Sequence, residues 1–293
     1  MSDITVAHAQ KFAADYYMLS EQKDSRFSAF VRNDPDFMNI QAKVAHYNRI
    51  GNVEMRDRTT RNADTPIMDV PHSRRRISMT DKEFGALVDK NDAVRLMANP
   101  TNAYVMKAVR AANRERDRVI LTAVDGTAKS MDSDDAATDV ALPAGQKIAV
   151  DGTGLTLDKI LESSEILGVN EADDDQEFVW AIGPKQRTDL FGLTEFKSAD
   201  FNGQKPMVIG ANKNTIIWMG FTFKVSNLLT LSGTSRLTKA WAATAIGFAR
   251  GLSAEPKVYP RGDKSLNVQI LIEEVMGATR VEDELVLQTA CLE

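Results

Sequence analysis

The strongest pattern of apolar and polar positions lies between Asn99 and Gly126. Asn99 before Pro100 offers a capping side chain followed by a proline at the first helical position. Asp125-Gly126 places a glycine where helices commonly end. The apolar face is expected to carry Val105, Val109, Ala112, Arg116, Val119 or Ile120, and Ala123; the opposite face carries Lys107, Arg110, Asn113, Arg114, Asp117 and Arg118. The pattern predicts one helix over 99–125, roughly 35 Å long, which we call the spine helix.

Weaker periodicity predicts the remaining elements. Helices are expected at 3–20, 156–168, 183–191 and 235–251, with a short helical pattern over 37–47 and a helix or turn over 81–97. Strands are expected at 147–150, 177–182, 206–210, 215–225 and 266–272, and a last strand through Leu285 and Leu287 follows a turn at Gly277. A hairpin is expected within 127–154. Because strands follow a long helix without regular βαβ alternation, the predicted fold class is α+β.

Two segments lack the apolar content for a core of their own. Residues 21–50 are predicted to be an arm that packs on something else. From Gly51 to Asp81 the chain has few large apolar residues, two prolines and many arginines, which with one just before it are Arg49, Arg56, Arg58, Arg61, Arg74, Arg75 and Arg76. Two extended runs flank a tip between Thr65 and Pro71, and a two-stranded ribbon of this kind is marginal alone in water. A charged linker is the equally weighted alternative.

Composition describes a folded protein of ordinary make-up. The chain has 293 residues, 43% hydrophobic and 26% charged, with a formal net charge of −5. That charge argues against a dedicated nucleic-acid binder, and the single cysteine, Cys291, excludes an intramolecular disulfide. The first residues lack the pattern of a signal peptide, and the apolar runs are too short to span a bilayer, so we expect synthesis in a cytoplasm and no membrane partner.

Catalytic and metal-binding patterns are weak. His8, His46 and His72 have no spacing typical of a metal site, no phosphate-binding or dinucleotide glycine pattern is present, and Cys291 is expected to be an inert packed thiol. The acidic runs 132–135 and 173–175 could hold a divalent cation, but acidic loops are more often only solvated. Trp180, Trp218 and Trp241 lie in apolar patterns and are expected in the core. We therefore predict no enzyme activity and no cofactor.

The chain resembles the major capsid proteins of tailed bacteriophages, of the Hong Kong 97 type. The resemblance is carried by the order of elements and by loose motifs along nearly the whole chain. These are the arginine-rich stretch before Asp89-Lys90-Asn91-Asp92, Asn99-Pro100, Thr122 to Gly126, Trp218 to Phe221, Ala245 to Gly251, and Gly277 to Val281 with Leu285-Val286.

The resemblance implies a division of the chain into five parts. Residues 1–50 would form an N-terminal arm, 51–85 an extended β-hairpin loop over an adjacent subunit, 86–170 a peripheral domain containing the spine helix, 171–260 an axial domain, and 261–293 return strands shared by both domains. Both coreless segments then have an explanation, because neighbouring subunits supply what each chain lacks.

The resemblance also implies a function and partners. The chain would self-assemble as hexamers and pentamers into the icosahedral shell of a virion, made in a bacterial cytoplasm and enclosing double-stranded DNA that it contacts non-specifically. Cement, scaffolding and portal proteins are further expected partners. We expect the assembly interface to include Arg56, Arg58, Arg61, Arg74, Arg75 and Arg76. An encapsulin-like compartment and, more distantly, a metal-dependent hydrolase using the acidic runs remain as alternatives.

Overall fold

A computed structural model describes residues 21–51, 53–57, 60–61, 67–89, 100–131, 137–169, 176–197, 215–253 and 255–293. Its helices are the spine helix α1 (Pro100–Asp125), α2 (Leu157–Val169), α3 (Pro184–Gly192) and α4 (Thr194–Lys197). Short 3₁₀ turns lie at Ser28–Phe30, Pro35–Phe37, Ala144–Gln146 and Ala243–Ala245. The strands are β1 (Val44–Ile50), β2 (His72–Ser78), β3 (Thr80–Val88), β4 (Ala128–Met131), β5 (Ala137–Val140), β6 (Lys147–Ile148), β7 (Phe178–Ile182), β8 (Thr215–Trp218), β9 (Phe221–Val225), β10 (Leu231–Ser232), β11 (Ser235–Ala242), β12 (Ile246–Leu252), β13 (Lys257–Arg261), β14 (Asn267–Arg280) and β15 (Val286–Leu292).

Three sheets organise the described strands. A seven-stranded sheet has the order β6-β15-β11-β7-β9-β8, with β10 beside β11. In a second sheet the long strand β14 pairs with β3, β12 and β13, and a third sheet has the order β1-β2-β4-β5. The main core lies against the seven-stranded sheet, where Trp180, Trp241 and Phe223 are fully buried. Trp218 is also buried, so the prediction that the three tryptophans are core residues is confirmed.

The spine helix matches its predicted bounds, but its buried face differs from the predicted one. Gly126 follows the last residue of the helix. Glycine is required there because a Cβ would lie 2.5 Å from the Thr122 carbonyl oxygen. The buried positions are Ala108, Asp117, Ile120, Leu121 and Val124, whereas Val109 is exposed. Asp117, expected on the polar face, is fully buried. The apolar periodicity gave no sign of this, since a charged side chain is read as solvent-facing.

The N-terminal arm is tied to the spine helix at Asp117. The backbone N–H groups of Arg26 and Phe27 donate to its carboxylate at 3.0 and 3.2 Å, and Ser25 Oγ donates at 2.5 Å. Immediately afterwards Phe27 enters the main core beside Trp241, with ring centroids 5.5 Å apart. In the described residues this stretch of the predicted arm packs on the chain's own core and not on a neighbouring subunit.

Two buried cations hold the carboxyl end of the spine helix. The guanidinium of Arg280 donates to the carbonyl oxygens of Gly126 at 2.7 Å and Val140 at 3.0 Å. Lys239 Nζ donates to the Leu121 carbonyl at 2.8 Å and lies 2.7 Å from Asp125 Oδ1. Burial lowers the pKa of Lys239, which the nearby Asp125 carboxylate counteracts. Cations at the carboxyl end of a helix stabilise the carbonyl groups that have no hydrogen-bond partner within the helix.

The predicted helix over 235–251 is wrong, and it is the longest predicted element that the structure contradicts. The structure has strand β11, a 3₁₀ turn at Ala243–Ala245 and strand β12 there. Strand β11 lies between β15 and β7, and every residue from Thr238 to Ala242 is buried. A central strand that is buried on both faces shows no alternation of apolar and polar residues. The spacing of Leu237 and Trp241 therefore resembles that of a helix.

Other boundaries differ for local reasons. The predicted strand 215–225 is a hairpin of β8 and β9, because Met219 and Gly220 have positive φ angles of 49° and 78° and form a turn. The helical pattern over 37–47 is a 3₁₀ turn followed by β1, and residues 81–88 belong to β3. Gly277 lies inside β14, where a Cβ would come 2.5 Å from the Ser78 carbonyl oxygen.

The remaining predicted elements are confirmed or lie outside the described residues. The structure has the predicted helices 156–168 and 183–191, the strands 177–182 and 266–272, and the last strand. The hairpin predicted after the spine helix is formed by β4 and β5. The strand at 147–150 is present only as the two residues of β6. The helix 3–20 and the strand 206–210 fall outside the described residues.

Candidate functional site

The extended loop begins as a regular hairpin. Strands β1 and β2 pair antiparallel from Val44 opposite Ser78 to Ile50 opposite His72. One further hydrogen bond joins Gly51 N–H to the Pro71 carbonyl at 2.8 Å. The ribbon predicted to flank the tip is present as β1 and β2. Strand β1 lies just before the arginine-rich segment, and β2 lies within it and carries Arg74, Arg75 and Arg76.

Beyond this hairpin the loop exposes apolar side chains. Met55 and Ile67 have relative exposures of 101% and 96%, and Ile50 and Val53 are exposed at 68% and 56%. None of the described residues between Gly51 and Pro71 is buried. Isolated exposed apolar residues are normal, but several on one coreless projection form a surface that a partner would cover.

The predicted arginines fall into two groups. Arg56 and Arg61 are exposed on the loop, and Arg58 lies outside the described residues. On β2, Arg74 is exposed and Arg76 is partly buried, on the face opposite Arg75. Arg56 and Arg61 on the loop and Arg74 on β2 are therefore exposed, whereas Arg76 is partly buried, with its Nε inside the subunit.

Arg75 points into the subunit. It is 3% exposed, and its Nη2 lies 2.5 Å from Asp283 Oδ2. Burial lowers the pKa of Arg75, with the Asp283 carboxylate opposing that effect. Its contact with Asp283 within the chain gives this arginine a structural role that the run of three consecutive arginines did not indicate.

A second charged cluster lies where the arm meets the spine helix. Glu21 accepts from Lys107 at 2.8 Å and from Arg114 at 2.5 Å, with Arg110 at 3.4 Å. Burial alone would raise the pKa of Glu21, but the hydrogen bonds from Lys107 and Arg114 lower it to about 2. This cluster fixes the direction in which the arm leaves the spine helix.

The candidate chemical groups do not form a reactive centre in the part of the chain that is described. No group of histidine, cysteine and carboxylate side chains there has the geometry of a metal site. His46 and His72 are exposed, and His8 and both acidic runs fall outside the described residues. Cys291 is fully buried, and burial raises its pKa to about 11, which disfavours the reactive thiolate, as predicted for an inert thiol. Among the described helices, none has the length and apolarity needed to cross a bilayer.

The fold and surface can be set beside known proteins. The family described as phage capsid protein matches residues 4–293. No curated protein matches the sequence. A chain from Mycobacterium phage Che8 is 15% identical with a TM-score of 0.71, covering 96% of this chain and 97% of its own.

Two cyanophage capsids are similar in the same way. The Pam1 capsid gives 13% identity and a TM-score of 0.73, covering 100% of this chain and 99% of its own. The P-SCSP1u capsid gives 12% identity and a TM-score of 0.74, with coverages of 99% and 94%. The fold is therefore the Hong Kong 97-type capsid fold, as the element order predicted. These relatives give the encapsulin-like and hydrolase alternatives no support.

Proposed function

Because the chain belongs to the phage capsid protein family, we propose that it is the major capsid protein, which self-associates as hexamers and pentamers into an icosahedral head shell. The observation that carries this proposal is the extended loop, whose Met55 and Ile67 side chains are almost wholly exposed in the isolated subunit. A contact made head to tail closes into a ring when the rotation between subunits closes, so one loop per subunit suffices to join all members of a capsomer.

We assign the parts of the chain in the shell as the family layout implies. Residues 1–50 act as the arm and 51–85 as the loop that reaches a neighbour. Residues 86–170 form the peripheral domain, 171–260 the axial domain near the capsomer centre, and 261–293 the return strands. Strand β14 of the return strands pairs with β3 and β12, so these strands join segments assigned to the loop, the peripheral domain and the axial domain.

The arginines contribute charge to the interface in this proposal. Arg56, Arg61, Arg74 and Arg76 would meet acidic surfaces of an adjacent subunit, and Arg58 belongs to the same segment. Exposed ion pairs contribute under about 1 kcal/mol each, but repetition around a ring and across a shell multiplies them. Arg75 instead supports the interface indirectly, by holding β2 against Asp283.

The shell's other partners follow from its role as a container. Double-stranded DNA would be contacted non-specifically on the inner face, and the overall charge of −5 argues against a dedicated DNA-binding site. Cement, scaffolding and portal proteins would bind the assembled shell or its precursor, in the cytoplasm of the host. The role is structural, with no substrate turned over.

The test compares particles from two double variants with particles from the unaltered protein. The combination Arg56→Ala with Arg61→Ala should leave the monomer's unfolding unchanged and reduce the yield of shells seen by light scattering and negative-stain microscopy. Lys147→Ala with Lys185→Ala, which removes two exposed cations elsewhere, serves as the matched control. An unaltered protein that stays a compact monomer at high concentration, with and without co-expressed phage proteins, would contradict the proposal.

A further inference from the structure

Four cations form a stripe along one side of the spine helix. Residues three or four positions apart share a helical face, and this face carries Lys107, Arg110, Arg114 and Arg118. From the first to the last of these residues the helix rises roughly 16 Å. The side chain of Arg118 is 58% exposed, that of Lys107 34% and that of Arg114 32%. We call this surface the cationic stripe.

The cationic stripe lies outside the contact between the helix and the sheet of β14. Ala112 lines a cleft between the helix and β14, and Arg116 Nε donates to Glu274 of that strand at 2.6 Å. Successive residues of a helix are turned by about 100°. Ala112 and Arg116 are therefore about half a turn away from Lys107 and Arg114, and the two sides of the helix have different partners.

The ion pairs of the stripe contain more cations than carboxylates. Glu21 of the arm pairs with three of the four cations, as described above, and Glu115 pairs with Arg118. Glu115 Oε1 also lies 2.9 Å from Lys82 Nζ. In the described part of the chain these contacts join five cations to two carboxylates. The stripe is therefore positive, although the chain as a whole has a formal net charge of −5.

The ionisation of Glu21 reports the same positive potential. Burial alone would raise its pKa, but the hydrogen bonds and charges of Lys107 and Arg114 lower it to about 2. A nearby positive charge favours the charged form of an acid in this way. The stripe is therefore suited to further anionic groups.

Double-stranded DNA is the polyanion that fits the stripe best. It carries one negative charge per about 1.7 Å of its axis, whereas even a wholly acidic extended peptide carries at most one per about 3.3 Å. Arginine binds phosphate oxygens with two parallel hydrogen bonds, and three of the four residues of the stripe are arginines. Phosphate contacts carry no sequence information, so this surface would accept DNA of any sequence.

Glu21 occupies part of the stripe in the isolated subunit. A phosphate that reached Lys107 and Arg114 would have to replace its carboxylate. The arm has a separate anchor on the helix, because the backbone N–H groups of Arg26 and Phe27 donate to Asp117 at 3.0 and 3.2 Å. Glu21 can therefore leave the stripe while this anchor of the arm stays in place.

We propose that the cationic stripe binds phosphates of the packaged double-stranded DNA, and that Glu21 competes with these phosphates for Lys107 and Arg114. This inference rests on the proposed function, because it requires a shell that encloses DNA. It adds the surface of the subunit that contacts the DNA, and it makes the arm a regulator of that contact.

The salt dependence of DNA binding tests the stripe. The unassembled full chain is titrated into a short fluorescent duplex, and fluorescence anisotropy gives Kd at several salt concentrations. Lys107→Ala with Arg114→Ala should weaken binding about tenfold or more, and the slope of log K against log salt should fall by about 0.9 for each lost phosphate contact. The matched control, Lys147→Ala with Lys185→Ala, removes two exposed cations elsewhere and should leave the slope unchanged.

A single substitution repeats this test without touching the arm. Arg118 is the most exposed cation of the stripe, and its ion pair is with Glu115 of the same helix. Arg118→Ala should lower the salt slope by about 0.9 and leave the circular dichroism spectrum of the subunit unchanged. A slope equal to that of the unaltered protein would contradict the proposed contact.

Removing the competing carboxylate should have the opposite effect. Glu21→Gln leaves every cation of the stripe in place, so DNA should bind about threefold more tightly. Asp24→Asn removes the same charge from an exposed position of the arm and serves as the matched control, with an affinity close to that of the unaltered protein. Equal gains in the two variants would show a general effect of net charge and would overturn the competition.

The remaining outcomes separate this inference from the proposed function. Normal shells, together with equal DNA binding by the Lys107–Arg114 double variant and its control, would overturn the inference alone. If the stripe bound a glutamate-rich peptide and no duplex, its partner would be an acidic protein segment, and the inference would again be wrong. Failure of the unaltered protein to form shells in any preparation would overturn the function and this inference together.

Discussion

The seven-stranded sheet buries its apolar side chains, whereas the extended loop leaves its own exposed to solvent. At the sheet Trp180, Trp241 and Phe223 are fully buried, and Trp241 Nε1 also donates to the Phe30 carbonyl at 2.8 Å. On the loop Met55 and Ile67 are almost entirely exposed. The sheet buries these side chains within its own chain, whereas the proposed function has a neighbouring subunit bury those of the loop.

The comparison separates two kinds of stability. We expect substitutions at the sheet to change the free energy of unfolding of each subunit, and substitutions on the loop to change the free energy of association. The effect of a substitution can therefore be assigned to unfolding or to association by measuring denaturant unfolding of the monomer and the yield of shells for the same variant.

Replacing Trp241 should have the largest effect on the monomer. Trp241→Ala removes a fully buried ring that contacts Phe27 and loses the bond to Phe30, so we expect a loss of about 3–5 kcal/mol in the free energy of unfolding. Urea denaturation followed by circular dichroism measures it. Trp241→Phe, which keeps an aromatic ring, should lose less, and equal losses in the two variants would show that ring burial is not the cause.

Replacing Asp117 should rank second. Asp117→Ala leaves the backbone N–H groups of Arg26 and Phe27 without their acceptor. We therefore expect the free energy of unfolding to fall by about 2–3 kcal/mol. The arm should also become cleavable near residue 25 in limited proteolysis. Asp117→Asn keeps one acceptor oxygen and should protect the arm partly; an arm equally resistant in all three proteins would contradict this anchor.

Glu21 should give a smaller, pH-dependent effect. Its folded pKa, about 2, lies below the ordinary value of 4.5, so its ion pairs stabilise the fold above about pH 4.5 and lose that contribution as the pH falls towards 2. Glu21→Gln should lower stability at pH 7 by about 1 kcal/mol or less. The difference between the two proteins should shrink on acidification, and a constant difference from pH 7 to pH 2.5 would argue against the assignment.

Met55 should have the smallest effect on the monomer. Met55→Ser changes an exposed side chain, so the free energy of unfolding should stay within about 0.5 kcal/mol, yet shell yield should fall. A monomer destabilised as strongly as Trp241→Ala would erase the distinction between the two regions.

Sequence patterns predicted the parts of the fold that have local signals. The spine helix has a proline at its start and a glycine at its end, and these signals depend on neighbours in the sequence alone. Asn99, the predicted capping residue, lies outside the described residues. The α+β class and the capsid resemblance needed only the order of elements. By contrast, β11 carries a buried run without alternation, and its identity depends on β15 and β7, which are distant in the chain.

The candidate site shows the same limit. Periodicity and composition indicated a coreless, arginine-rich loop, which the structure has. They did not separate Arg75 from Arg74 and Arg76, because its role depends on Asp283, 208 residues later. They also missed Asp117, Lys239 and Arg280, since a charged residue is buried only where distant backbone groups bind it.

Asp283 binds two arginines that belong to different parts of the subunit. Arg75 lies in the base of the extended loop, and Arg280 holds the end of the spine helix; each is 2.5 Å from one oxygen of this carboxylate. A pulling force on the loop, as when pressurised contents stretch a closed container, would reach the helix through this carboxylate and through the pairing of β2 with β4. The three charged groups thus form one of two connections by which tension on the loop would be passed to the helix.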